Sequence, residues 1–295
     1  MLTGNILAVK QDDFGANLDD KKITEASKID ISQVTLKITK LTDISQSDKT
    51  SLFELFNKFK LVILECEPLP NPQDNLLALN NFFGSVKRHK RSDENGIVLV
   101  ENLGNSPLAT TYVATTNQAH LMHTDGPYEM EPPKIVAMQC EIPSKHGGLS
   151  QIVYSESVYE YLMENYLQEL HRLFTYPLTI TRGDQTARRA IFLEKEGKIS
   201  MSFRADSVVS IAIPSQLENV YRIIKNYVNN PKNQLIFKLQ ANQILVFDNT
   251  SILHGRTSFP ENQVRKLNRL WFDGISEYTH HIQLGFIPKS KLLHP

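Results

Sequence analysis

His123 and Asp125 stand two positions apart in the run His123-Thr124-Asp125. Residues i and i+2 of a β-strand point to the same face, so an imidazole and a carboxylate would lie side by side there. A second imidazole, His254, follows a distant apolar segment. Two histidines and one carboxylate leave open positions on a bound metal, which is the ligand set of non-haem Fe(II) oxygenases. The pattern therefore predicts a metal centre formed by His123, Asp125 and His254.

The His-x-Asp pair alone is a weak signal, because a chain with 9 histidines and 32 acidic residues contains such pairs by chance. The alternative is a hydrogen bond between the two side chains on a surface strand. Gly126-Pro127 follows Asp125 and Gly255 follows His254, so each candidate ligand stands where a strand opens into a turn. That repeated context favours the metal centre. His120, three residues before the first histidine, is expected to face the other side of the strand.

A later segment, from Arg265 to Phe272, is typical of a strand with two inward arginines. By the period of two, Arg265, Leu267, Arg269 and Trp271 share one face. Inward guanidinium groups are costly unless each meets an anion, and their planar fork suits a carboxylate. A structural salt bridge to an Asp or Glu is the alternative for each arginine.

Together these segments resemble the taurine dioxygenase/phenoxyacetate dioxygenase (TauD/TfdA) family of Fe(II)- and 2-oxoglutarate-dependent oxygenases. The resemblance spans about residues 50 to 275, and the combination is far more specific than any one piece. The segments that carry it are Ala114-Thr115-Thr116, His123-Thr124-Asp125-Gly126-Pro127-Tyr128, Gly147-Gly148-Leu149-Ser150, Asp248-Asn249, Leu253-His254-Gly255-Arg256-Thr257-Ser258-Phe259 and Arg265-x-Leu267-x-Arg269-Leu270-Trp271.

The resemblance implies a role for several positions. His123, Asp125 and His254 would be the iron ligands. Arg265 would bind the distal carboxylate of 2-oxoglutarate, with the hydroxyl of Ser150 beside it. Serine stands where many members have threonine, so the hydroxyl donor is kept and a methyl contact is lost.

The substrate pocket is less closely specified. Arg269 aligns with a position that some members use for an anionic substrate. Tyr128 follows the metal dyad and could line the pocket, with plain packing as its alternative. Arg204 could meet a substrate anion, whereas its neighbours Arg182, Arg188 and Arg189 are expected to be mostly solvated. A small carboxylate-bearing substrate is predicted, such as an amino-acid derivative, with an aromatic amino-acid isonitrile as one candidate.

The resemblance also implies a reaction. O2 and 2-oxoglutarate would react at Fe(II), with succinate as product, and a substrate C–H bond would be hydroxylated or desaturated. Asp125 stands where halogenating relatives carry Gly or Ala, which disfavours halogenation. Two other classes stay open. One is a non-catalytic jelly-roll protein that binds a small molecule. The other is a Zn-dependent hydrolase with the same ligands, which would need a general base near the metal.

Composition limits the class of protein. A chain of 295 residues that is 41% hydrophobic can bury a sizeable core, and a single domain over residues 1–295 is expected. The formal charge is zero, so nothing indicates binding to nucleic acid or to an anionic membrane. No apolar run approaches 18 residues, so no transmembrane helix is expected. No basic region precedes the first apolar stretch, which argues against a signal peptide. Two cysteines do not make a disulfide framework. We expect a cytoplasmic protein, with a homo-oligomer left open.

The elements that must position these residues are mostly short strands. Helical spacing from Leu52 to Phe59 precedes a buried strand, and a helix is predicted from Gln73 to Phe83, ended by Gly84. Capping-box patterns at Ser157 and Ser215 predict two later helices. Further strands are predicted at Leu61–Leu64, Ile97–Val100, Ile135–Cys140, Gln151–Tyr154, Leu178–Thr181, Ile199–Phe203, Leu235–Leu239 and Gln243–Phe247.

This order of elements predicts an α+β chain with a jelly-roll core and flanking helices. The resemblance makes that core a double-stranded β-helix, with iron at its open end. Residues 155–242 contain both later helices, and we expect them to form a helical insert that packs outside the core and contributes a lid.

Overall fold

The computed structural model describes residues 29–103 and 112–289. The start of the chain, to which the expectation of no leader sequence applies, lies outside the described residues. The strands that are described are β1 Thr35–Ile38, β2 Leu61–Cys66, β3 Val98–Glu101, β4 His120–His123, β5 Ile135–Ile142, β6 Ser150–Tyr154, β7 Leu178–Arg182, β8 Gln185–Arg189, β9 Phe192–Lys195, β10 Lys198–Met201, β11 Ser210–Ala212, β12 Leu235–Phe237, β13 Gln243–Asp248, β14 Ile252–Arg256 and β15 Lys266–Phe272. The α-helices are α1 Gln46–Phe59, α2 Asp74–Ala78, α3 Asn80–Phe83, α4 Ser155–Asn165, α5 Leu167–Thr175 and α6 Glu218–Asn229.

Two sheets form the core. The larger has the order β1-β2-β13-β5-β15-β3 and is antiparallel apart from the β1–β2 pair, and the smaller has the order β12-β6-β14-β4. One apolar cluster joins the two sheets, with Leu245 and Phe247 of β13 packed together with Ile152 of β6 and Ile252 of β14. The alternate residues of β13 belong to a second cluster on the opposite face. Burial on both faces explains why this strand is a continuous apolar run in the sequence.

The outer face of the larger sheet is covered by the first three helices. Leu52 and Phe56 of α1 pack with Phe82 of α3 against Ile244 and Val246. The helix expected over residues 73–83 is divided into two short helices at Leu79, which is the C-cap of the first and the N-cap of the second. Gly84 closes the second with a φ of 97°, a backbone conformation that favours glycine.

Residues 155–242 form a mixed segment rather than a helical one. They contain α4, α5 and α6, a three-stranded sheet β11-β7-β8, the β9–β10 hairpin, and β12, which joins the smaller core sheet. Their apolar cluster packs on the outside of the smaller sheet, against Met122, Val153 and Leu253. The segment therefore buries the face of the sheet that does not look toward the larger one.

Both predicted capping boxes are wrong. Helix α4 begins at Ser155 without a side-chain cap, and the backbone N–H of Ser155 donates instead to the carbonyl of Ser251 at 2.8 Å. Helix α6 begins at Glu218 after a 3₁₀ turn, also without a side-chain cap. A tertiary contact thus satisfies one of the free N–H donors at the start of α4 in place of a capping side chain. Within residues 29–103 and 112–289, no helix is both long and apolar enough to cross a bilayer.

Candidate active site

The three predicted metal ligands meet at one end of the smaller sheet. Strands β4 and β14 are antiparallel neighbours with His123 opposite His254, and the two imidazole centroids are 4.2 Å apart. Asp125 lies just beyond β4, with Oδ1 3.5 Å from His123 Nε2 and 4.0 Å from His254 Nε2. All three side chains are buried, and one ligand atom from each lies within 4.8 Å of the others. The ladder thus joins residues that are far apart in sequence.

The hydrogen bond of the His123 ring suits a metal ligand. Its Nδ1 lies 2.8 Å from the carbonyl oxygen of Leu121, to which it can only donate, so in the neutral imidazole Nε2 carries the free lone pair. That Nε2 is buried and has no hydrogen-bond partner among the described residues. A buried polar atom without a partner is costly, and a cation at this point would remove that cost. Two imidazoles and one carboxylate are a ligand set suited to Fe(II), so these residues fit the metal that the sequence predicts.

His120 does not face away from this cluster. Between β4 and β14, His254 is opposite His123 while Arg256 is opposite His120, so four residues of β4 span three of β14. Such a β-bulge shifts the alternation of side chains by one position. The ring of His120 consequently stacks on that of His123 at 4.0 Å. The expectation from strict alternation was wrong for this reason.

His120 also contacts Asp206, with Nε2 3.3 Å from Oδ2. With His123 these residues form a second group of possible metal ligands. However, Asp206 already accepts hydrogen bonds from the Arg204 guanidinium at 2.6 and 3.1 Å. Burial raises the pKa of Asp206, but the charge of Arg204 and the hydrogen bonds from His120 and Arg204 together hold it well below the usual range. The group with Asp206 is only partly buried, whereas all three residues of the group with Asp125 are buried, so the latter is the better enclosed metal site.

Asp125 is held by several side chains. Arg269 Nη1 lies 3.2 and 3.1 Å from its two carboxylate oxygens, and Trp271 Nε1 donates to Oδ2 at 2.8 Å. Burial raises the pKa of Asp125, but the charge of Arg269 and the neighbouring His123 hold it well below the usual range. The side-chain amide of Asn249 makes two hydrogen bonds to the backbone of Asp125. Its Oδ1 accepts from the Asp125 N–H at 2.8 Å, and its Nδ2 donates to the Asp125 carbonyl at 3.0 Å.

Two of these residues, Trp271 and Asn249, were not assigned a function from the sequence. Trp271 shares the strand face of Arg269 by the period of two, which was the available signal. Asn249 belonged to a family segment without an assigned function.

Arg265 and Ser150 lie on one side of the metal cluster, in a cavity that His123 and His254 also line. The Arg265 side chain donates from Nε to the carbonyl of Gly148 at 3.2 Å. It is 5% exposed, and burial lowers its pKa to about 10. No carboxylate of residues 29–103 or 112–289 lies within salt-bridge distance of it. The alternative of a structural salt bridge therefore has no support in this part of the chain.

Arg256 lines the same cavity and was not singled out in the sequence. It stands two residues after His254 on β14 and is buried. Its Nη2 donates to the carbonyl of Thr116 at 2.8 Å, and burial together with the charge of Arg265 lowers its pKa to about 9. Two buried guanidinium groups that have no carboxylate partner in the described part of the chain make this cavity attractive to an anion.

Gly148 controls the position of Arg265. Its φ is +61°, and a Cβ there would lie 2.8 Å from Arg265 Cδ and 2.4 Å from Ser144 Oγ. Gly148→Ala should therefore displace the guanidinium and weaken 2-oxoglutarate binding by about tenfold, the loss of one charge-assisted pair. Anaerobic titration of the Fe(II) protein with 2-oxoglutarate measures this. Gly197→Ala is the matched control, since Gly197 has a φ of +73° but no atom within 4 Å of the added carbon. Equal affinities in the two variants would contradict the prediction.

The predicted substrate residues lie on the other side of the cluster. Tyr128, Arg204 and Arg269 line a second cavity, which also reaches His123 and Asp125. Arg204 and Arg269 are paired with Asp206 and Asp125, and Tyr128 Oη accepts from Arg182 Nη1 at 3.1 Å. The remaining wall has aromatic and basic side chains, including His89, Arg91, Tyr112, Arg182 and Trp271. The expectation that Arg182 is solvated was wrong, since it reaches into this wall.

Comparison with known proteins agrees with the site geometry. A family model described as "Taurine catabolism dioxygenase TauD, TfdA family" matches residues 19–271. The chain is 25% identical over 162 residues to a γ-butyrobetaine dioxygenase of Homo sapiens, covering 50% of this chain and 42% of that protein. It is 26% identical over 170 residues to a trimethyllysine dioxygenase of Meyerozyma guilliermondii, covering 52% and 42% respectively. The chain thus spans less than half the length of these curated relatives.

The fold agrees as well. A crystal structure of a taurine dioxygenase from Burkholderia xenovorans superposes with a TM-score of 0.62, at 14% identity, over 82% of this chain and 88% of that one. The prediction of an α+β chain with a double-stranded β-helix core is confirmed by this match. Because the family model covers most of the sequence, the chain belongs to the TauD/TfdA family of Fe(II)- and 2-oxoglutarate-dependent dioxygenases.

Proposed function

We propose that this protein uses Fe(II), O2 and 2-oxoglutarate to hydroxylate or desaturate a C–H bond of a small carboxylate-bearing substrate. The observation that carries the proposal is the pair of cavities that meet at the metal cluster. His123 and Arg269 line both of them, while Arg265 and Ser150 line one and Tyr128 lines the other. An oxygenase that binds two small molecules beside one metal needs this arrangement.

His123, Asp125 and His254 would hold the iron and leave positions for 2-oxoglutarate and O2. Bound iron would let O2 act as the oxidant of both compounds, so that 2-oxoglutarate becomes succinate and CO2 while the substrate C–H bond is oxidised. Arg265 and Ser150 would bind the distal carboxylate of 2-oxoglutarate, through a bidentate guanidinium and a hydroxyl donor. Arg256 would add positive charge to that pocket. Trp271 and Asn249 would keep Asp125 in place.

The substrate class is supported by the cavity on the Asp125 side and by the relatives. Both relatives are named for amino-acid derivatives that carry a carboxylate. Tyr128, Arg204 and Arg269 would line the substrate site, and an aromatic amino-acid isonitrile is one compound that would suit its aromatic wall. The charges of the two arginines are compensated by carboxylates of the chain itself, so they offer less to a substrate anion than the sequence suggested.

A hydrolase that uses Zn(II) has less support. Among the described residues that line either cavity, Asp125 is the one acidic side chain, and it is needed as a ligand. No separate carboxylate in those walls could act as the general base. A non-catalytic binding protein would have no need for the Nε2 of His123 to be buried without a partner.

Anaerobic titration with Fe(II) and 2-oxoglutarate tests the proposal. An absorbance change should require both components, and succinate formation in air should require Fe(II) and rise with one member of a panel of amino-acid-derived carboxylates. Zn(II) in place of Fe(II) is the control and should support binding without succinate. A protein that binds neither Fe(II) nor 2-oxoglutarate would contradict the proposed function.

A further inference from the structure

Two arginines of the cavity on the Asp125 side have no carboxylate partner in the described chain. Arg91 lies in the segment between α3 and β3, and Arg182 is the last residue of β7. Both line the cavity, together with Arg204 and Arg269. Arg204 is paired with Asp206 and Arg269 with Asp125, whereas no acidic residue within 29–103 or 112–289 lies within 4.0 Å of the other two. The wall therefore carries two uncompensated positive charges.

Aromatic rings hold these two guanidinium groups in place. The guanidinium carbons of Arg91 and Arg182 lie 4.5 and 4.7 Å from the ring centroid of Tyr112. Arg182 also lies 5.3 Å from the ring centroid of Tyr128 and donates to its hydroxyl, while Arg91 donates to the carbonyl of Leu99 at 3.2 Å. Contact with these rings limits the movement of the two groups, and each guanidinium has further N–H donors beside the one that makes the hydrogen bond named here. Such pre-oriented donors suit an oxyanion.

The surrounding groups do not neutralise this charge. Burial, together with the charges of Arg269, Arg182 and Arg91, lowers the pKa of His89 to about 3, so this imidazole is neutral. Asp125 is the sole acidic residue among those that line the cavity, and Arg269 is bonded to both of its oxygens. The positive charges of Arg91 and Arg182 repel each other, and a bound anion would relieve that repulsion.

We propose that Arg91 and Arg182 bind the anionic group of the primary substrate, a carboxylate, and that the rings of Tyr112, Tyr128 and Trp271 contact its apolar body. The inference rests on the proposed function, because the oxidised compound must enter this cavity. The anion of the substrate would then bind Arg91 and Arg182, and not Arg269 and Arg204 as the sequence predicted. The two residues come from remote parts of the chain, one of them from the 155–242 segment, so the site exists only in the folded protein.

The single tryptophan of the chain, Trp271, lines the same cavity and can report binding by its fluorescence. The probes are 3-phenylpropanoate and 3-phenylpropanamide, which share one skeleton and differ in charge. Zn(II) and saturating 2-oxoglutarate keep the other cavity filled. The carboxylate should bind at least about tenfold more tightly than the amide, and Arg91→Met and Arg182→Met should each lose about tenfold in carboxylate affinity. The affinity for the amide should not change.

Arg188→Met is the matched control, because Arg188 is exposed on β8 of the same small sheet. It should retain the full preference for the carboxylate. Arg91→Lys and Arg182→Lys keep the charge without the fork and should retain part of the preference, which separates a lost anion contact from a damaged fold. Circular dichroism checks that each variant is folded.

Several results would overturn the inference. They are equal affinity of the wild-type protein for the two probes, no response of Trp271 to the carboxylate, or an undiminished preference in the variants of both arginines. A preference that disappears only in Arg269→Met would assign the anion to Arg269 instead. Failure of the proposed function has a different signature, since the wild-type protein would then not bind Fe(II) and 2-oxoglutarate, whatever Trp271 reports.

Discussion

Replacement of Asp125 by alanine should abolish Fe(II)-dependent succinate formation and also lower the free energy of unfolding by about 3–5 kcal/mol. The first effect follows from its proposed place among the metal ligands. The second follows from Arg269, whose buried guanidinium donates to both Asp125 oxygens and would be left without a counter-ion. Urea denaturation of the metal-free protein measures the loss of stability, and metal binding is measured separately by titration.

A double variant separates these two roles of Asp125. Asp125→Ala with Arg269→Met removes both charges, so most of the lost stability should return while metal binding stays lost. The single variant Arg269→Met completes the double-mutant cycle. It should leave the buried carboxylate of Asp125 without its main partner. If Asp125→Ala is as stable as the wild-type protein, the pair does not hold the fold together and Arg269 must be compensated in another way.

Arg265→Met should change cosubstrate binding and stability in opposite directions. Loss of the guanidinium should weaken 2-oxoglutarate binding about ten- to a hundredfold. The ligand-free protein should become more stable, because a buried charge without a carboxylate partner in the described chain is removed. Thermal unfolding with and without 2-oxoglutarate, in the presence of Zn(II), measures both effects in one experiment.

Two further variants control for charge and position in that experiment. Arg265→Lys keeps a buried charge but loses the fork, so it should lose affinity without the gain in stability. Lys266→Met alters the next residue of β15, which pairs with Glu141 at 2.6 Å, and should leave 2-oxoglutarate binding unchanged. An Arg265→Met protein that 2-oxoglutarate stabilises as strongly as the wild type would remove Arg265 from the cosubstrate site.

The local features of the site were readable from the sequence, because they depend on the period of two along a strand. His123 with Asp125, and Arg265 with Arg269, were predicted to share a face, and each pair lines the metal cluster or its cavities. Apolar runs predicted core strands for a different reason, since a strand such as β13 is buried on both faces. The partner of the first pair, His254, needed the resemblance to a family as well, since strand order is not a local property.

Only the tertiary structure decided which charged groups are compensated and which are free. Arg269 meets Asp125 across 144 positions of sequence, and a β-bulge turns His120 toward His123 against the alternation of its own strand. Arg182, expected in solvent, lies against Tyr112 and Tyr128. Sequence spacing determines the face on which a side chain stands. Strand pairing and loop packing between distant segments determine which counter-ion lies beside a charged side chain. The free energy of a buried charge depends on that partner.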